Sequence, residues 1–563
     1  MLDFFRAHRA VGMAVPSYFI ESTAPENVDD RAVVPTPLPP ELEEVDPDAA
    51  VKQIAAALAS GTAPNLVVMV HGFNNPEPAV LRMYAAAAQA IERDSAIRSR
   101  QGLVCVGYRW PSEPMGKPWR GSWDALPTLP TWILYFGAAV FLLSFPLFYL
   151  VSETRQWWFD QLHYIWNSGS VHIITLLGWT VAGLVLTAVL LRAIVYFRDN
   201  YRATNYGVPD LIQIIRAVDG EILKLRRERG EADRRDVQLS FIGHSMGGFV
   251  VTNTIRTLSD VFTVPVETLS DYGARARPGV TQDSPPLDEI GNVFRLKRFV
   301  LASPDIPAET LLSSRSNFLA SALSRFEEAY LFSNEGDEVL RQISTLANYF
   351  VFPTKSRNHG FRLGNVEILS SNFGLIDVRE DDFLRVLRIG NLTLQDLYAA
   401  LEGASASRNP NASVPSPAQA PLPRVFTYFD CTDYVDREKP DQPARPLLTF
   451  AKWRKRNDPN AKLRWYSHLY LLFAYVAYGQ KPNVHGGYFE GMLSQQLIYR
   501  LACLGYEDTV AAYGSERALS QICRQKQVRG LLSPLLALRR NLRSMANTPA
   551  SQAPAPEIPG ADL

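Results

Sequence analysis

The chain has 563 residues, with 57 Lys plus Arg and 57 Asp plus Glu, so its formal net charge is zero. A neutral chain lacks the basic excess of nucleic-acid-binding proteins, and nucleic acid is not an expected partner. Four widely spaced cysteines exclude a disulfide scaffold and a cysteine-rich zinc site. No histidine or carboxylate cluster has zinc spacing either, so neither a metal nor a cofactor is expected.

Short β-branched runs alternate with helical patterns along most of the chain. An alanine-rich stretch separates the first two runs, and a helix with apolar periodicity is predicted at 208–229. Strands are predicted at residues 66–70, 103–108, 237–243, 296–302 and 328–333, and strand character resumes at 425–430. Strands that alternate with helices predict an α/β fold, in which helices flank a mostly parallel sheet.

Two charge-free apolar runs interrupt this pattern, at 131–151 and 171–191. At about 1.5 Å per helical residue, each is long enough to cross the roughly 30 Å hydrocarbon core of a bilayer. The segment between them is rich in Trp, as at a membrane interface, and cations flank the outer ends, which places both chain ends in the cytoplasm. We therefore expect an inserted transmembrane hairpin; the alternative is a pair of buried core helices.

A candidate nucleophile lies in the run Gly243 to Gly248, GHSMGG, which directly follows the strand at 237–243 and precedes a helical stretch. A serine at such a strand–turn–helix junction is held in a strained conformation, and small neighbours let the strand and helix approach closely. Ser245 is the predicted nucleophile, and Gly243, His244 and Gly247 form the turn around it.

Acyl transfer also needs N–H donors for the oxyanion, one of which usually follows the nucleophile. Met246 supplies that N–H group. The second donor should come from the loop after an earlier strand, where His71-Gly72-Phe73-Asn74 follows the strand at 66–70, so the Phe73 amide is the candidate. His71 itself is expected to be structural.

These motifs resemble the α/β-hydrolase fold family, through His71-Gly72 and residues 243–248. The resemblance extends to a poorly characterised bacterial branch through Trp110-Pro111-Ser112, Ala302-Ser303-Pro304-Asp305-Ile306 and Arg362-Leu363-Gly364. It covers residues 65–505, with the hairpin and the later inserts as departures. The resemblance implies a serine hydrolase, an esterase or lipase, with a Ser-His-Asp triad.

Two aspartates are candidates for the triad acid. Asp305 follows the strand at 296–302 and Asp337 follows the strand at 328–333, so both are expected at the carboxyl edge of the sheet. In most members of the family the acid follows the later strand, which favours Asp337 and leaves Asp305 as a pocket residue. Either aspartate could instead cap the helical stretch that follows it.

Two histidines come late enough in the chain to be the base. His485 lies in a Gly-rich loop before a helix, and a base must be mobile enough to take the serine proton and pass it on. His468 lies within a long aromatic and apolar stretch that is typical of a core or membrane-facing helix. The family branch often has the pattern H-x-Y, which His468 fits and His485 misses by one residue, so both stay open with His485 preferred.

The sequence thus predicts a membrane-anchored serine hydrolase that cleaves a carboxylic ester through an acyl-enzyme, with His485 activating Ser245 and Asp337 orienting the imidazolium. A lipidic ester is the expected substrate, because anchoring brings the site near the bilayer. The alternatives are an inactive interaction protein and an acyltransferase. The predicted organisation is an N-terminal arm and helix (1–60), the first part of the hydrolase domain (61–130), the transmembrane hairpin insertion (131–197), the continued hydrolase domain (198–403), a disordered linker (404–424), the C-terminal part of the hydrolase domain with the candidate histidine (425–545) and a disordered tail (546–563).

Overall fold

The structure is a computed structural model of the 563-residue chain. It describes residues 2, 4–24, 37–112, 195–231, 234–258, 261–262, 291–312, 322–323, 325–345, 361–406, 422–449, 463–477 and 482–537. The sheet, its flanking helices and the candidate site all lie within these ranges.

Strands and helices alternate through the described part of the chain. The strands are β1 (Phe5–Ala10), β2 (Ser17–Ser22), β3 (Leu42–Val45), β4 (Asn65–Val70), β5 (Leu103–Arg109), β6 (Val237–His244), β7 (Phe294–Ala302), β8 (Glu328–Ser333), β9 (Glu367–Ile368), β10 (Gly374–Ile376), β11 (Leu387–Ile389), β12 (Leu392–Thr393), β13 (Phe426–Asp430), β14 (Val435–Asp436), β15 (Arg445–Pro446) and β16 (Arg529–Leu531). The α-helices are α1 (Pro47–Ser60), α2 (Glu77–Arg93), α3 (Ser95–Arg98), α4 (Val208–Glu228), α5 (Met246–Thr257), α6 (Glu309–Leu312), α7 (Leu394–Ala406), α8 (Trp465–Ala477), α9 (Met492–Cys503), α10 (Tyr506–Ala512) and α11 (Glu516–Gln525).

One large sheet organises these elements. Among the described residues, eleven strands join it in the order β10-β16-β13-β8-β7-β6-β4-β5-β2-β1-β3. The run from β2 through β5, β4, β6, β7 and β8 to β13 is parallel throughout, whereas β1 and β16 bring in antiparallel pairs. This architecture agrees with the predicted α/β class and mostly parallel sheet, and the first five predicted strands correspond to β4 to β8.

The N-terminal 60 residues, predicted as an arm and a helix, also contribute three strands to the sheet. β2 adds to the parallel run beside β5, and β1 pairs antiparallel with both β2 and β3. The sequence of β1, FRAHRA, contains two arginines and a histidine among six residues, and it is too polar to give the apolar run by which the buried strands were recognised.

Both faces of the parallel sheet are buried, and this explains why its strands are apolar without alternation. In β4, Leu66, Val68 and Val70 belong to one core layer, while Val67 and Met69 belong to the other. Side chains from α1, α4 and α5 complete the first layer, and those from α2 and α9 complete the second.

The strand order places a crevice beside the candidate motifs. The chain runs from β4 outward to β5 and then returns to the other side of β4 to form β6. In open α/β sheets, ligands bind outside the carboxyl ends of the strands at such a reversal of strand order. His71 follows β4 and Ser245 follows β6, so both predicted motifs lie at this point.

The prediction of an integral membrane protein is wrong. No helix among the described residues is both long and apolar enough to cross a bilayer. The predicted spans at 131–151 and 171–191 lie outside the described residues. The longest described helix, α4, has 21 residues but carries charged side chains along its length. A charge-free run in the sequence meets the length requirement of a span without establishing a continuous apolar helix, and we do not carry the hairpin or the cytoplasmic orientation further.

Gly247 lies where α5 packs closely against the end of β4. A Cβ atom at Gly247 would lie 2.2 Å from the Val70 carbonyl oxygen and 2.5 Å from that of His71. Backbone cannot move aside as a flexible side chain can, so we expect Gly247→Ala to lower the free energy of unfolding by about 1–3 kcal/mol or more.

Gly220→Ala is the matched control, because Gly220 lies in α4 with open space where its Cβ would be. Alanine is better than glycine in a helix interior by about 0.8–1.0 kcal/mol, so this variant should unfold at a higher temperature than the unmodified chain. Thermal unfolding followed by circular dichroism compares the two. Equal melting temperatures for both variants would contradict the close approach.

Candidate active site

Ser245 occupies a strained turn between β6 and α5. Its backbone has φ 54° and ψ −124°, a left-handed conformation that is uncommon for a residue with a side chain. Its N–H group donates to the Ala302 carbonyl (3.0 Å), and its own carbonyl accepts from the Asp305 N–H group (3.1 Å). A Cβ atom at Gly243 would lie 2.6 Å from Gly248 Cα, so the turn requires the glycines that the motif supplies.

His485 and Asp337 form a buried pair, although 148 residues separate them in the chain. The distance between His485 Nδ1 and Asp337 Oδ2 is 2.7 Å. An ionised carboxylate only accepts hydrogen bonds, so Nδ1 carries the proton and Nε2 of the neutral ring presents a lone pair. Of the alternatives that the sequence leaves open, the structure brings together His485 and Asp337.

Asp337 is fully buried and holds four donors. Its Oδ1 accepts the N–H groups of Val339 (3.1 Å) and Leu340 (3.2 Å), which begin a π-helical turn. Its Oδ2 accepts His485 Nδ1–H and the hydroxyl group of Ser303. Asp337 therefore caps a helical turn and orients an imidazole at the same time.

Contacts with His244, the residue before Ser245, place His485 near the serine. The neighbouring His244 donates from Nε2 to the His485 carbonyl oxygen (3.0 Å), and the two imidazole centroids are 5.0 Å apart. Ser245 Oγ and His485 Nε2 are both buried, and neither has a hydrogen-bond partner among the described residues. The serine–histidine hydrogen bond is thus not formed, as is common in unliganded sites, where such bonds are often long.

The electrostatic surroundings favour protonation of His485. Burial by itself lowers the pKa of its imidazole, but attraction to Asp337, the hydrogen bond with Asp337 and the charge of Asp305 outweigh burial and raise the pKa above the ordinary 6.5. The adjacent His244 differs, because burial and the charge of His485 lower its pKa to about 4. His244 is therefore neutral where His485 titrates.

The loop after β4 lies against both Ser245 and His485. A Cβ atom at Gly72 would lie 2.8 Å from Ser245 Cβ and 3.3 Å from Ser245 Oγ, so the loop passes directly over the serine. The Phe73 ring packs edge-on against His485, with centroids 6.5 Å apart. The backbone N–H groups of Phe73 and Met246, the two predicted oxyanion donors, have no acceptor among the described residues.

Hydrogen bonds fix the conformation of this loop. Asn75 Nδ2 donates to the carbonyl groups of Gly72 and Phe73 (3.1 Å each). Asn74, with φ 59°, donates its N–H group to Asp199 Oδ2 (2.9 Å). Asp199 also accepts the hydroxyl of Ser112 (3.1 Å), which in turn accepts the Asn75 N–H group (3.1 Å). Sequence reasoning missed Asp199 because it reaches the loop only through the tertiary fold.

His71 is held by contacts with the loop backbone and with Trp110. Its Nδ1–H group donates to the Gly72 carbonyl (2.7 Å), and its ring stacks on Trp110 with centroids 5.3 Å apart. Burial, followed by the charge of Arg109, lowers the pKa of His71 to about 3, so the ring is neutral. The Trp110 indole N–H group donates to the His71 carbonyl (2.9 Å) and ties the loop to the end of β5.

The alternates Asp305 and His468 have other partners. Asp305 forms an ion pair with Arg362, with 3.1 Å between Oδ1 and Nε, and accepts the Ser344 hydroxyl (3.0 Å). His468, on α8, has its Nδ1 2.5 Å from Glu338 Oε1. Glu338 is the residue after Asp337, so two adjacent carboxylates each hold a different histidine. Sequence reasoning did not single out Glu338.

No protein-family model, curated protein or solved structure matches this chain. The resemblance described above therefore stays a prediction, and any function has to be argued from the geometry. Among the described residues, no group of three or more His, Cys, Asp or Glu side chains could hold a metal ion.

Asp337→Asn tests the electrostatic account of His485. Without the carboxylate charge, burial dominates and the pKa of His485 should fall below 6.5. A raised pKa stabilises the fold below the unfolded-state pKa, and this stabilisation is lost as the pH rises through the folded-state pKa. The variant should therefore lose more stability at pH 5 than at pH 9.

Histidine-selective NMR titration and thermal unfolding at the two pH values measure both effects. Glu338→Gln is the matched control, because it removes the neighbouring carboxylate, which pairs with His468 instead. It should leave the titration of His485 unchanged. A His485 titration that is the same in Asp337→Asn as in the unmodified chain would contradict the pairing.

Proposed function

We propose that the protein is a serine hydrolase of the α/β-hydrolase fold that cleaves a carboxylic ester, with Ser245, His485 and Asp337 as its triad. The observation that carries the proposal is the buried His485–Asp337 pair beside a strained serine whose hydroxyl has no partner among the described residues. A nucleophile, a base and a group that orients the base are the components of acyl transfer.

The proton movements follow from these positions. Ser245 Oγ attacks the carbonyl carbon of the ester as its proton passes to His485 Nε2, and Asp337 stabilises the imidazolium through Nδ1–H. The tetrahedral intermediate collapses, its bond to the alcohol oxygen breaks, and His485 returns the proton to that oxygen. Water then attacks the acyl-enzyme with His485 as the base, which releases the carboxylic acid and restores Ser245.

The free N–H groups of Phe73 and Met246 support the same reaction. The carbonyl oxygen gains negative charge as the tetrahedral intermediate forms, and fixed donors lower the energy of this state most where water is excluded. The Met246 N–H group belongs to the first turn of α5, whose dipole also favours negative charge. The helix end and the loop over Ser245 together supply two donors.

The lipid part of the substrate prediction is not retained. It rested on a membrane anchor, which the described helices do not provide. The proposal is therefore limited to an acyl ester, the class of substrate that the serine, imidazole and N–H groups can process. Transfer of the acyl group to an alcohol in place of water uses the same residues, and product analysis with an added alcohol distinguishes the two.

A fluorophosphonate probe tests the nucleophile directly, since it phosphonylates an activated serine. The unmodified chain should be labelled and should hydrolyse a simple aryl ester, and Ser245→Ala should abolish the labelling. Loss of a triad member typically reduces kcat by on the order of 10⁴-fold or more. Absence of labelling in a folded, unmodified chain would instead favour a fold that has lost turnover.

The two histidines provide a matched pair for assigning the base. His485→Ala should reduce labelling and kcat on a scale similar to Ser245→Ala, because no other imidazole would pair with Asp337. His468→Ala removes a histidine that also contacts a buried carboxylate but belongs to the α8 contact with Glu338. It should retain most of its kcat, and the opposite ranking of the two variants would reject the proposed triad.

Asp199→Ala tests the loop that presents the Phe73 N–H group. Without the carboxylate that accepts the Asn74 N–H group, the Phe73 N–H group should lose its fixed position. We expect kcat to fall by about 10- to 100-fold, less than the 10²–10³-fold loss that follows removal of a whole oxyanion donor. Since that donor acts on the intermediate, KM should change little.

Asp219→Ala is the control for the loss of a buried carboxylate. Asp219 accepts the backbone N–H groups of Asn292 (3.2 Å) and Val293 (3.1 Å) just before β7, at the other end of that strand from the site. Burial raises the pKa of both Asp199 and Asp219. Both variants should lower the melting temperature, but only Asp199→Ala should lower kcat.

A further inference from the structure

Left-handed backbone is concentrated at the carboxyl edge of the sheet. Four described residues other than glycine have positive φ, and three of them follow β4, β6 and β7: Asn74 (59°), Ser245 (54°) and Ser303 (47°). Asn74 belongs to the loop over the serine, and Ser245 is the proposed nucleophile. The proposed function gives Ser303 no role.

The strain at Ser303 is maintained by its surroundings. The residue is fully buried, and its N–H group donates to the Phe332 carbonyl (2.9 Å). The backbone of Gly364 packs so closely that a Cβ atom there would lie 2.9 Å from the Ser303 carbonyl carbon. A residue with a side chain is strained in the left-handed region, and glycine would avoid that strain. The side chain is the feature that glycine could not supply.

The Ser303 hydroxyl donates to Asp337 Oδ2, the oxygen that also accepts His485 Nδ1–H. Two donors on one oxygen share its negative charge. Because Ser303 follows β7 and Asp337 follows β8, this hydrogen bond also fixes the carboxylate relative to the strand beside it.

We propose that Ser303 is a positioning residue of the catalytic site, which holds the Asp337 carboxylate toward His485 and limits how strongly that carboxylate attracts the imidazolium. The inference rests on the proposed function. It adds a fourth member to the Ser245, His485 and Asp337 unit, one that does not touch the substrate.

The direction of the effect can be derived from charge. Without the Ser303 hydroxyl, more negative charge remains on Asp337 Oδ2, and the attraction that already raises the pKa of His485 becomes stronger. The base then stays protonated to higher pH, so the acid limb of the kcat/KM profile should move to higher pH. The carboxylate also loses one of its restraints, and kcat should fall by about 10-fold at the pH optimum.

The predicted shift also depends on the charges of the other titratable groups around His485. Asp337 and Asp305 are the carboxylates whose charges act on it. His244 is neutral, because burial lowers its pKa to about 4. Tyr488, next to the same pair, is neutral as well, because burial raises its pKa far above the ordinary range. Over the pH range in which His485 titrates, neither of these two groups changes charge.

Two substitutions separate the hydroxyl from the strain. Ser303→Ala removes the donor and keeps a Cβ atom in the left-handed backbone, whereas Ser303→Gly removes the donor and permits that backbone without strain. Ser333→Ala is the matched control, because Ser333 is a buried serine at the end of β8 whose hydroxyl has no partner among the described residues.

The experiment measures kcat, KM and the pH profile of kcat/KM for an aryl ester, together with a histidine NMR titration of His485. Both Ser303 variants should show a lower kcat, an unchanged KM and an acid limb at higher pH, while Ser333→Ala matches the unmodified chain. Should the alanine variant fail to fold, the glycine variant still reports on the hydroxyl.

The outcomes distinguish the two proposals. Folded Ser303 variants with an unshifted His485 titration and an unchanged kcat overturn the role of Ser303 while the triad stands. An unmodified chain that neither labels nor hydrolyses esters overturns the proposed function. In that case the NMR titration still decides whether Ser303 tunes His485, since it requires no turnover, and an unshifted titration rejects the inference.

Discussion

The parallel alignment of β4, β6, β7 and β8 is the constraint on which the site depends. Because these strands are buried on both faces and end at one edge, the chain must turn within a few residues of each end. After β4, β6 and β7 it does so through left-handed backbone at Asn74, Ser245 and Ser303. At about 1–3 kcal/mol each, this strain is large against a typical net stability of about 5–15 kcal/mol. The compensation is local, because each strained residue donates its N–H group to a fixed acceptor at the same edge.

The buried carboxylates around this edge differ in the cations and hydrogen-bond donors that contact them. A carboxylate removed from water is stable only where hydrogen bonds or a cation replace the lost hydration. Asp305 has a guanidinium partner, Arg362, whereas Asp337 has only neutral donors and the imidazole of His485. Because no permanent cation contacts Asp337, its carboxylate stabilises a proton on the His485 imidazole. Asp305 contributes to that stabilisation through its charge alone.

Much of the fold follows from local sequence patterns, but the pairing within the site does not. The apolar runs of β4 to β8 and the turn at Ser245 could be predicted because their signals lie within a few residues. Which histidine contacts Asp337 depends on contacts across more than a hundred residues, and no spacing rule predicts it. Asp199 was missed for the same reason. The predicted membrane hairpin failed because hydropathy was its main evidence, and the described helices do not include such a span.

The two interpretations of Asp337, as a helix cap and as the acid, turn out to be compatible. Its Oδ1 accepts the N–H groups that open the π-helical turn, which leaves Oδ2 for His485. Glu338 is the next residue, at the start of that turn, and its carboxylate contacts a different neighbour, His468 on α8. There Leu471 packs with Val484, the residue before His485. One short turn thus supports the histidine twice, directly through a carboxylate oxygen and indirectly through the helix against which the histidine loop packs.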